Sequence, residues 1–368
     1  MSTRNPIKKL AGQTAIYGLS SVIGRFLNYL LVPLYVQVFT TPEGYGVVSE
    51  LYTWVAFLLV LLTFGMETAY FKFLTDREDK QSVFNNSILT VIGVNVLFLI
   101  ALIFFHQPIA DKMLFGNNPE YILLLGFIVV IDAVGALPLA KLRAEQKVKT
   151  FAGVQLLSIG VNIGLNLILL LVVYDGEHSE QAVRYILIAN IVASLVKPAL
   201  LYKDFLHIKF AIDWELVRLM LRYSFPLALA GFAFIINETI DRVLLKHITY
   251  NTYTEELGKV AAQRYAEAQV GIYSASYKLA MLVTIFLQAY RYAAEPFFFA
   301  ESKSRDRNKT YVKVMNYFVG AVYLCFLFVS LNLDLFKYFI PNENYWEGLR
   351  IVPILLLANV FSGIYINQ

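Results

Sequence analysis

Charge and cysteine are both scarce in this 368-residue chain. Asp, Glu, Lys and Arg together make up 16% of it, against about 25% in soluble domains, which excludes the usual solvated shell. A single cysteine, Cys325, excludes an internal disulfide framework. The four histidines, His106, His178, His207 and His247, have no His or Cys at metal-ligand spacing, so no metal site is expected. A formal charge of +4, spread along the chain, gives no footprint for nucleic acid. Gly258-Lys259 lacks the upstream Gly and the following Ser or Thr of a phosphate-cradling loop, and no nucleophile elbow, zinc helix or dinucleotide fingerprint occurs. Neither an enzyme nor a cofactor is therefore expected.

What the chain has is apolar length. Hydrophobic residues make up 58% and the mean hydropathy is +0.58. They fall in ten runs, at about 10–38, 47–71, 84–105, 120–140, 151–174, 183–202, 217–245, 270–299, 311–332 and 348–368. Runs of about 20 residues match a helix crossing about 30 Å of hydrocarbon. They are continuously apolar where barrel strands would alternate, so the expected fold class is an all-α polytopic membrane protein with about ten transmembrane helices.

Lys and Arg orient it. Twenty fall in one alternate set of connections, among them Arg4, Lys8, Lys9, Lys141, Arg143 and Lys197, and five in the other: Lys112, Lys246, Lys259, Arg264 and Lys337. By the positive-inside rule the N-terminus is cytoplasmic. The long basic connection at 203–216 separates six spans from four, so the expected domains are 1–208, a six-helix lobe, and 209–368, a four-helix lobe. A faint echo relates the halves: Gly46, Ser49 and Tyr52 recur as Gly271, Ser274 and Tyr277, each displaced by 225. Parallel repeats of this kind are one way to place a transporter's site between lobes. The outward stretch 247–269 has no counterpart in the first half. There Leu257, Val260, Ala261, Tyr265 and Ala268 share a helical face, and a short interfacial helix and a solvated loop both fit it.

Polar residues inside spans are costly and usually face protein or a hydrated cavity. Thr14, Gly18, Ser21, Arg25 and Asn28 form one stripe, with Arg25 near mid-bilayer. Tyr277, Met281, Thr284, Gln288, Arg291 and Glu295 form another, with Lys278 beside it. Gln155, Ser158, Asn162 and Asn166 form a third. Asp132 lies mid-span, Glu67 near the cytoplasmic end of the second span, and Asn237, Glu238, Asp241 and Arg242 toward the outer end of the seventh. The stripes are expected to converge on one cavity. Packing readings stand beside this one: Gly160 and Gly164 make a GxxxG, Glu238 with Arg242 and Arg291 with Glu295 are i,i+4 pairs, and Glu67 and Arg291 can snorkel. Pro33, Pro138, Pro226 and Pro296 suggest kinks.

The opening AGQTAIYGLSSVIGRFLNYLLVPLYVQVFTTPEGYG, the ending GMETAYFKF, and the segments INETIDRVLL and GIYSASYKLA resemble the bacterial polysaccharide-biosynthesis flippases. These belong to the multidrug/oligosaccharidyl-lipid/polysaccharide exporter superfamily. The most recognisable parts are the turn Pro42, Glu43, Tyr45, Gly46 and the entry Gly271, Tyr273, Ser274. The resemblance covers essentially the whole chain. It implies a MATE-like arrangement of two lobes around a central cavity, alternating access, and movement of an undecaprenyl-pyrophosphate-linked sugar unit to the outer leaflet. Cavities in that family are rich in cationic residues suited to pyrophosphate and acidic sugars, and Arg25 is carried over first. Members usually carry further spans after the tenth, so this chain is expected to be a C-terminal truncation with an incomplete second lobe.

The sequence thus predicts a flippase of lipid-linked oligosaccharides in the bacterial cytoplasmic membrane. Substrate contacts are expected at Arg25, Asn28, Asn162, Asn166, Lys278, Gln288 and Arg291, where cationic and amide groups suit pyrophosphate and sugar. Asp132, Glu238 and Asp241 are the carboxylates expected to couple transport to H+ or Na+. Membrane lipid is an expected partner, with a functional link to a polysaccharide polymerase and glycosyltransferases. The alternative is a multidrug or small-molecule exporter of the same superfamily. A membrane glycosyltransferase would need a larger extramembrane domain than 247–269 offers.

Overall fold

The computed structural model describes residues 23–24, 26–301 and 307–366, and excludes the side chains of 285–286, 288–289, 291–301 and 366. The described residues are helical and contain no strand. The principal helices are α1 (Leu31–Val38), α2 (Pro42–Thr63), α3 (Met66–Asp76), α4 (Lys80–Lys112), α5 (Glu120–Ala144), α6 (Val148–Ile168), α7 (Ser179–Leu200), α8 (Trp214–Leu257), α9 (Lys259–Glu301), α10 (Arg307–Leu331) and α11 (Val352–Ile366). Among the described residues eight helical segments are long and apolar enough to cross a membrane, and they coincide with the second to seventh, ninth and tenth expected runs. The first run is described only from residue 23, with the apolar helix Phe26–Val38 in it, and the eighth lies within α9. The chain is an all-α, multi-pass membrane protein.

The helices group into two compact units, one of Val47–Glu267, the other of residues up to Gly46 with Ala268–Gln368. In the Val47–Glu267 unit the apolar faces of α3, α4, α5 and the start of α8 close a core around Met66, Tyr70, Phe84, Ile88, Leu137 and Met220. The second expected span is not one helix. It breaks at Phe64 (φ 35°) and Gly65 (φ 70°). A Cβ on Gly65 would stand 3.0 Å from the Ser224 carbonyl oxygen, so glycine serves both the left-handed φ and the close approach of α8. The Leu62 carbonyl in the last turn of α2 accepts from buried Asn95 Nδ2 at 3.1 Å, compensating for the interrupted ladder. The expected kink sites Pro138 and Pro226 lie inside continuous helices α5 and α8.

Two further expectations change. The stretch 247–269 is neither a loop nor a separate interfacial helix: α8 runs on to Leu257, Gly258 turns the chain at φ 77°, and α9 starts at Lys259. The face it buries carries Ala262, Ala266, Glu267 and Val270, while Leu257, Val260 and Tyr265 are exposed. The sequence pattern misses this because an apolar stripe at this end of a membrane helix does not have to face protein. Gly160 and Gly164 do not mark close packing among the described residues either, since there a Cβ on either would meet nothing within 4 Å.

In the other unit, the end of α1 is closed by side chains from far along the chain. Asn342 Nδ2 donates to the carbonyls of Val36, Phe39 and Thr40 at 3.3, 3.2 and 3.1 Å, and Asn344 Nδ2 to Thr40 at 2.8 Å. Val36 is one of the carbonyls a helix end leaves without intrahelical partners, and Phe39 and Thr40 follow directly after the helix. The fully buried Tyr345 packs edge-on to Tyr45, and its hydroxyl donates to the Phe39 carbonyl at 3.4 Å. A Cβ on Gly271 would fall 2.1 Å from the Pro42 carbonyl oxygen. The Pro42–Gly46 turn and the Gly271–Ser274 entry therefore meet backbone to backbone.

Candidate functional site: charged groups within the helices

Of the residues the sequence singles out for substrate, Arg25 lies outside the described residues, and so do the side chains of Gln288 and Arg291. Asn28 is exposed and Lys278 half-buried on α9. Asn162 and Asn166 pair with each other. Asn166 is fully buried and donates to the Asn162 carbonyl at 2.8 Å and side-chain oxygen at 3.1 Å. Ser158, on the same stripe, donates to the Ala193 carbonyl of α7 at 2.7 Å, so part of this stripe is used to join helices.

Asp132 has no charged neighbour on its own helix, but α7 supplies one. Lys197 Nζ lies 2.8 Å from Asp132 Oδ1, both side chains about four-fifths buried. Lys197 is among the cations assigned from sequence to a connection; it is in fact in the last turn of α7 and reaches back along it. Glu67 behaves likewise, pairing with Arg143 at 2.5 Å, while Lys141 meets Asp204 at 2.7 Å. Arg143 also lies over Phe71 and Phe151, 5.3 and 5.7 Å from their ring centres. Charge at this end of the helices is thus neutralised between helices, which lowers the cost of holding it near hydrocarbon.

The i,i+4 pairing expected of Glu238 and Arg242 takes another form. Buried Arg242 donates Nη1 to the Asp241 carboxylate at 3.0 Å and to the Glu238 backbone carbonyl at 3.4 Å. An adjacent carboxylate can reach the guanidinium when the backbone N–H of residue 242 also binds it, here at 2.8 Å.

The most buried charges are ones the sequence does not point to. Lys246, with no exposed surface, lies 2.7 Å from Glu50 and 3.6 Å from Glu267, whose side chains are 1% and 9% exposed. Its ammonium also donates to the Met113 carbonyl at 3.0 Å and sits 3.7 Å from the centre of the Phe115 ring. Gln263 fixes the third group by donating to Glu267 at 3.1 Å and to the Leu114 carbonyl at 2.7 Å. One cation is therefore shared by two carboxylates, a carbonyl and an aromatic face, in a setting where an unpaired charge would be expensive. Glu50 and Glu267 lie on α2 and α9, and no spacing rule joins them. The one available signal is Lys246 itself, one helical turn after Arg242 on a helix that continues past the apolar run.

Among the described residues no group of three or more His, Cys, Asp or Glu is placed to hold a metal.

These features define an all-helical multi-pass membrane protein whose polar chemistry is carried by cross-helix ion pairs. Residues 10–301 match the model of a family described as polysaccharide biosynthesis protein, and the chain belongs to that family. Among curated proteins it is similar to an Lsg locus protein of Haemophilus influenzae, 21% identical over 307 residues that cover 81% of this chain and 68% of the relative. Among solved structures it resembles an inward-facing multidrug resistance MATE family transporter of the MOP superfamily. That likeness has a TM-score of 0.59 at 16% identity and covers 93% of this chain and 80% of the other. A MATE protein in a straight conformation gives 0.56 at 18% identity, over 98% and 82%. The MATE-like fold is thereby shown.

Proposed function

We propose that this chain is a flippase that carries an undecaprenyl-pyrophosphate-linked oligosaccharide across the bacterial cytoplasmic membrane by alternating access. The observation that carries this reading is the polysaccharide-biosynthesis family match along residues 10–301 of a chain with a MATE-like helical fold. In this reading the N-terminus is cytoplasmic and the lobes are 1–208 and 209–368. Arg25, Asn28, Lys278, Gln288 and Arg291 hold the pyrophosphate and sugar as cationic and amide donors. Asn162 and Asn166 contribute amide groups from α6. Energy comes from an ion gradient or the membrane potential.

Coupling is assigned to Asp132, Glu238 and Asp241. Protonation of Asp132 would remove the charge that holds Lys197 and free an ammonium that α7 could present to an anionic substrate. The proton adds one net positive charge to a pair that was neutral, and an anionic substrate bound to the uncovered ammonium would balance it.

The reading is tested by deleting the gene and measuring undecaprenyl-linked sugar by mass spectrometry. Accumulation on the cytoplasmic side, restored to normal by the intact gene and not by Arg25→Ala at equal membrane abundance, is the expected result. Unchanged lipid-linked sugar with increased susceptibility to small cationic drugs would replace this reading with multidrug export, which the MATE-like fold also supports.

A further inference from the structure

A groove of about 930 Å³ opens on the Val47–Glu267 unit where α8 passes the α2–α3 break and α4. Its walls include Phe64, Val94, Leu221 and Phe225, and its rim carries Arg218 and Arg222. The start of α8 is firmly placed. Asp213 caps it, accepting from Glu215 N and Leu216 N at 3.1 and 3.0 Å, and its own N–H donates to Asn86 of α4 at 2.8 Å.

Two observations give the groove an occupant. First, Arg218 and Arg222 are one turn apart on α8, so they share a face, and neither has an ion pair or hydrogen bond among the described residues. This sets them apart from Arg143, Arg184 and Arg242, each of which meets a carboxylate. Second, the groove's lining on α8 runs from Trp214 over a length close to one leaflet. At 1.5 Å per residue, Arg218 and Arg222 stand about 6 and 12 Å along α8 from Trp214, and Phe225 about 16 Å. Half of a hydrocarbon core is about 15 Å. Trp214, 72% exposed, marks the interfacial end. Arg218 and Arg222 stand about one and two turns inside Trp214 and can snorkel toward the interface. Two free guanidiniums on an otherwise apolar groove match a phosphate with a chain attached, and a free anion would leave the apolar walls unused.

We propose that this groove binds an anionic glycerophospholipid of the leaflet on the basic-loop side, with its phosphate between Arg218 and Arg222 and one acyl chain along Phe64, Val94, Leu221 and Phe225. None of its lining residues is among those assigned to transport, and the proposal does not depend on the identity of the cargo. Bound there, the lipid fills the notch beside the Phe64–Gly65 break.

The test uses the full chain in nanodiscs of phosphatidylcholine doped with phosphatidylglycerol bearing a photoactivatable diazirine on one acyl chain. Labelled peptides are mapped by mass spectrometry. Saturable labelling around Leu221–Pro226 and Phe64 is expected, competed by unlabelled phosphatidylglycerol and reduced about tenfold or more in R218Q/R222Q, since each interfacial cation strengthens anionic-lipid binding several-fold. Single R222Q, in which one exposed and unpaired side chain changes, gives the intermediate value and guards against a folding defect in the double variant. Three results would overturn the proposal: equal labelling by the same probe with a phosphatidylcholine headgroup, labelling unchanged in R218Q/R222Q, or labelling displaced by undecaprenyl diphosphate but not by phosphatidylglycerol.

Discussion

The Lys246 ammonium lies 2.7 Å from the Glu50 carboxylate, and the two side chains are 0% and 1% exposed. No apolar side chain could replace Lys246 alone without leaving two carboxylates facing each other. Breaking a buried pair by removing one partner costs about 3–5 kcal/mol, whereas replacing the whole group by apolar residues is often neutral. Lys246→Met should therefore strongly lower the thermal stability of the detergent-solubilised protein, read by fluorescence-detected size exclusion. Glu50→Leu with Lys246→Met and Glu267→Leu together should recover most of it. A triple variant that is stable and still restores surface polysaccharide would show the cluster to be scaffold alone.

Gly271 and Pro42 make the second prediction. A Cβ at 271 would come 2.1 Å from a backbone oxygen and 3.1 Å from Gly46 N, atoms that cannot rotate away. Overpacking of this kind costs about 1–3 kcal/mol or more. Gly271→Ala should reduce the amount of folded protein in membranes. Gly160→Ala and Gly164→Ala should be neutral or slightly stabilising, because their Cβ positions are open and alanine is favoured over glycine within helices by about 0.5–1 kcal/mol. Equal loss at all three positions in membrane fractions would contradict the packing described for each.

Phe64 and Gly65 carry the third. With φ of 35° and 70°, both leave the helical region, and only Gly65 does so at little cost. Gly65→Ala combines that strain with the approach to Ser224 and should destabilise by about 1–3 kcal/mol, measured as a lower unfolding midpoint. Phe64→Gly relieves strain but removes a wall of the lipid groove, so it should stabilise less than strain alone suggests.

The class of fold was legible because membrane solvent writes a strong one-dimensional signal: long apolar runs, and basic residues in alternate connections. Helix ends were less so. Treating a run of polar residues as a loop hides the way α8 and α9 continue through 247–269, where polar side chains are compatible with a helix outside hydrocarbon. The partners of charged residues were least legible. Asp132 stands 65 residues from Lys197, and Glu50 nearly 200 from Lys246, so only folding joins them. Arithmetic on basic residues also conceals dual use, since Lys197, Lys141 and Arg143 count toward orientation and at the same time neutralise carboxylates on neighbouring helices.

The Asp132–Lys197 pair separates a structural from a coupling role. It joins α5 to α7 with about a fifth of each side chain exposed, so water screens part of the attraction. A double-mutant cycle of Asp132→Asn and Lys197→Met should give a coupling energy of about 0.5–3 kcal/mol. If the pair only braces two helices, the double variant should transport normally once it is stable, and the pH dependence of lipid-linked sugar turnover should match that of the unaltered chain. If Asp132 takes up the coupling proton, Asp132→Asn should flatten the pH dependence in proteoliposomes even where Lys197→Met, equally destabilised, retains it. The two variants break the same ion pair but remove different protonatable groups, which makes the pH profile the deciding readout.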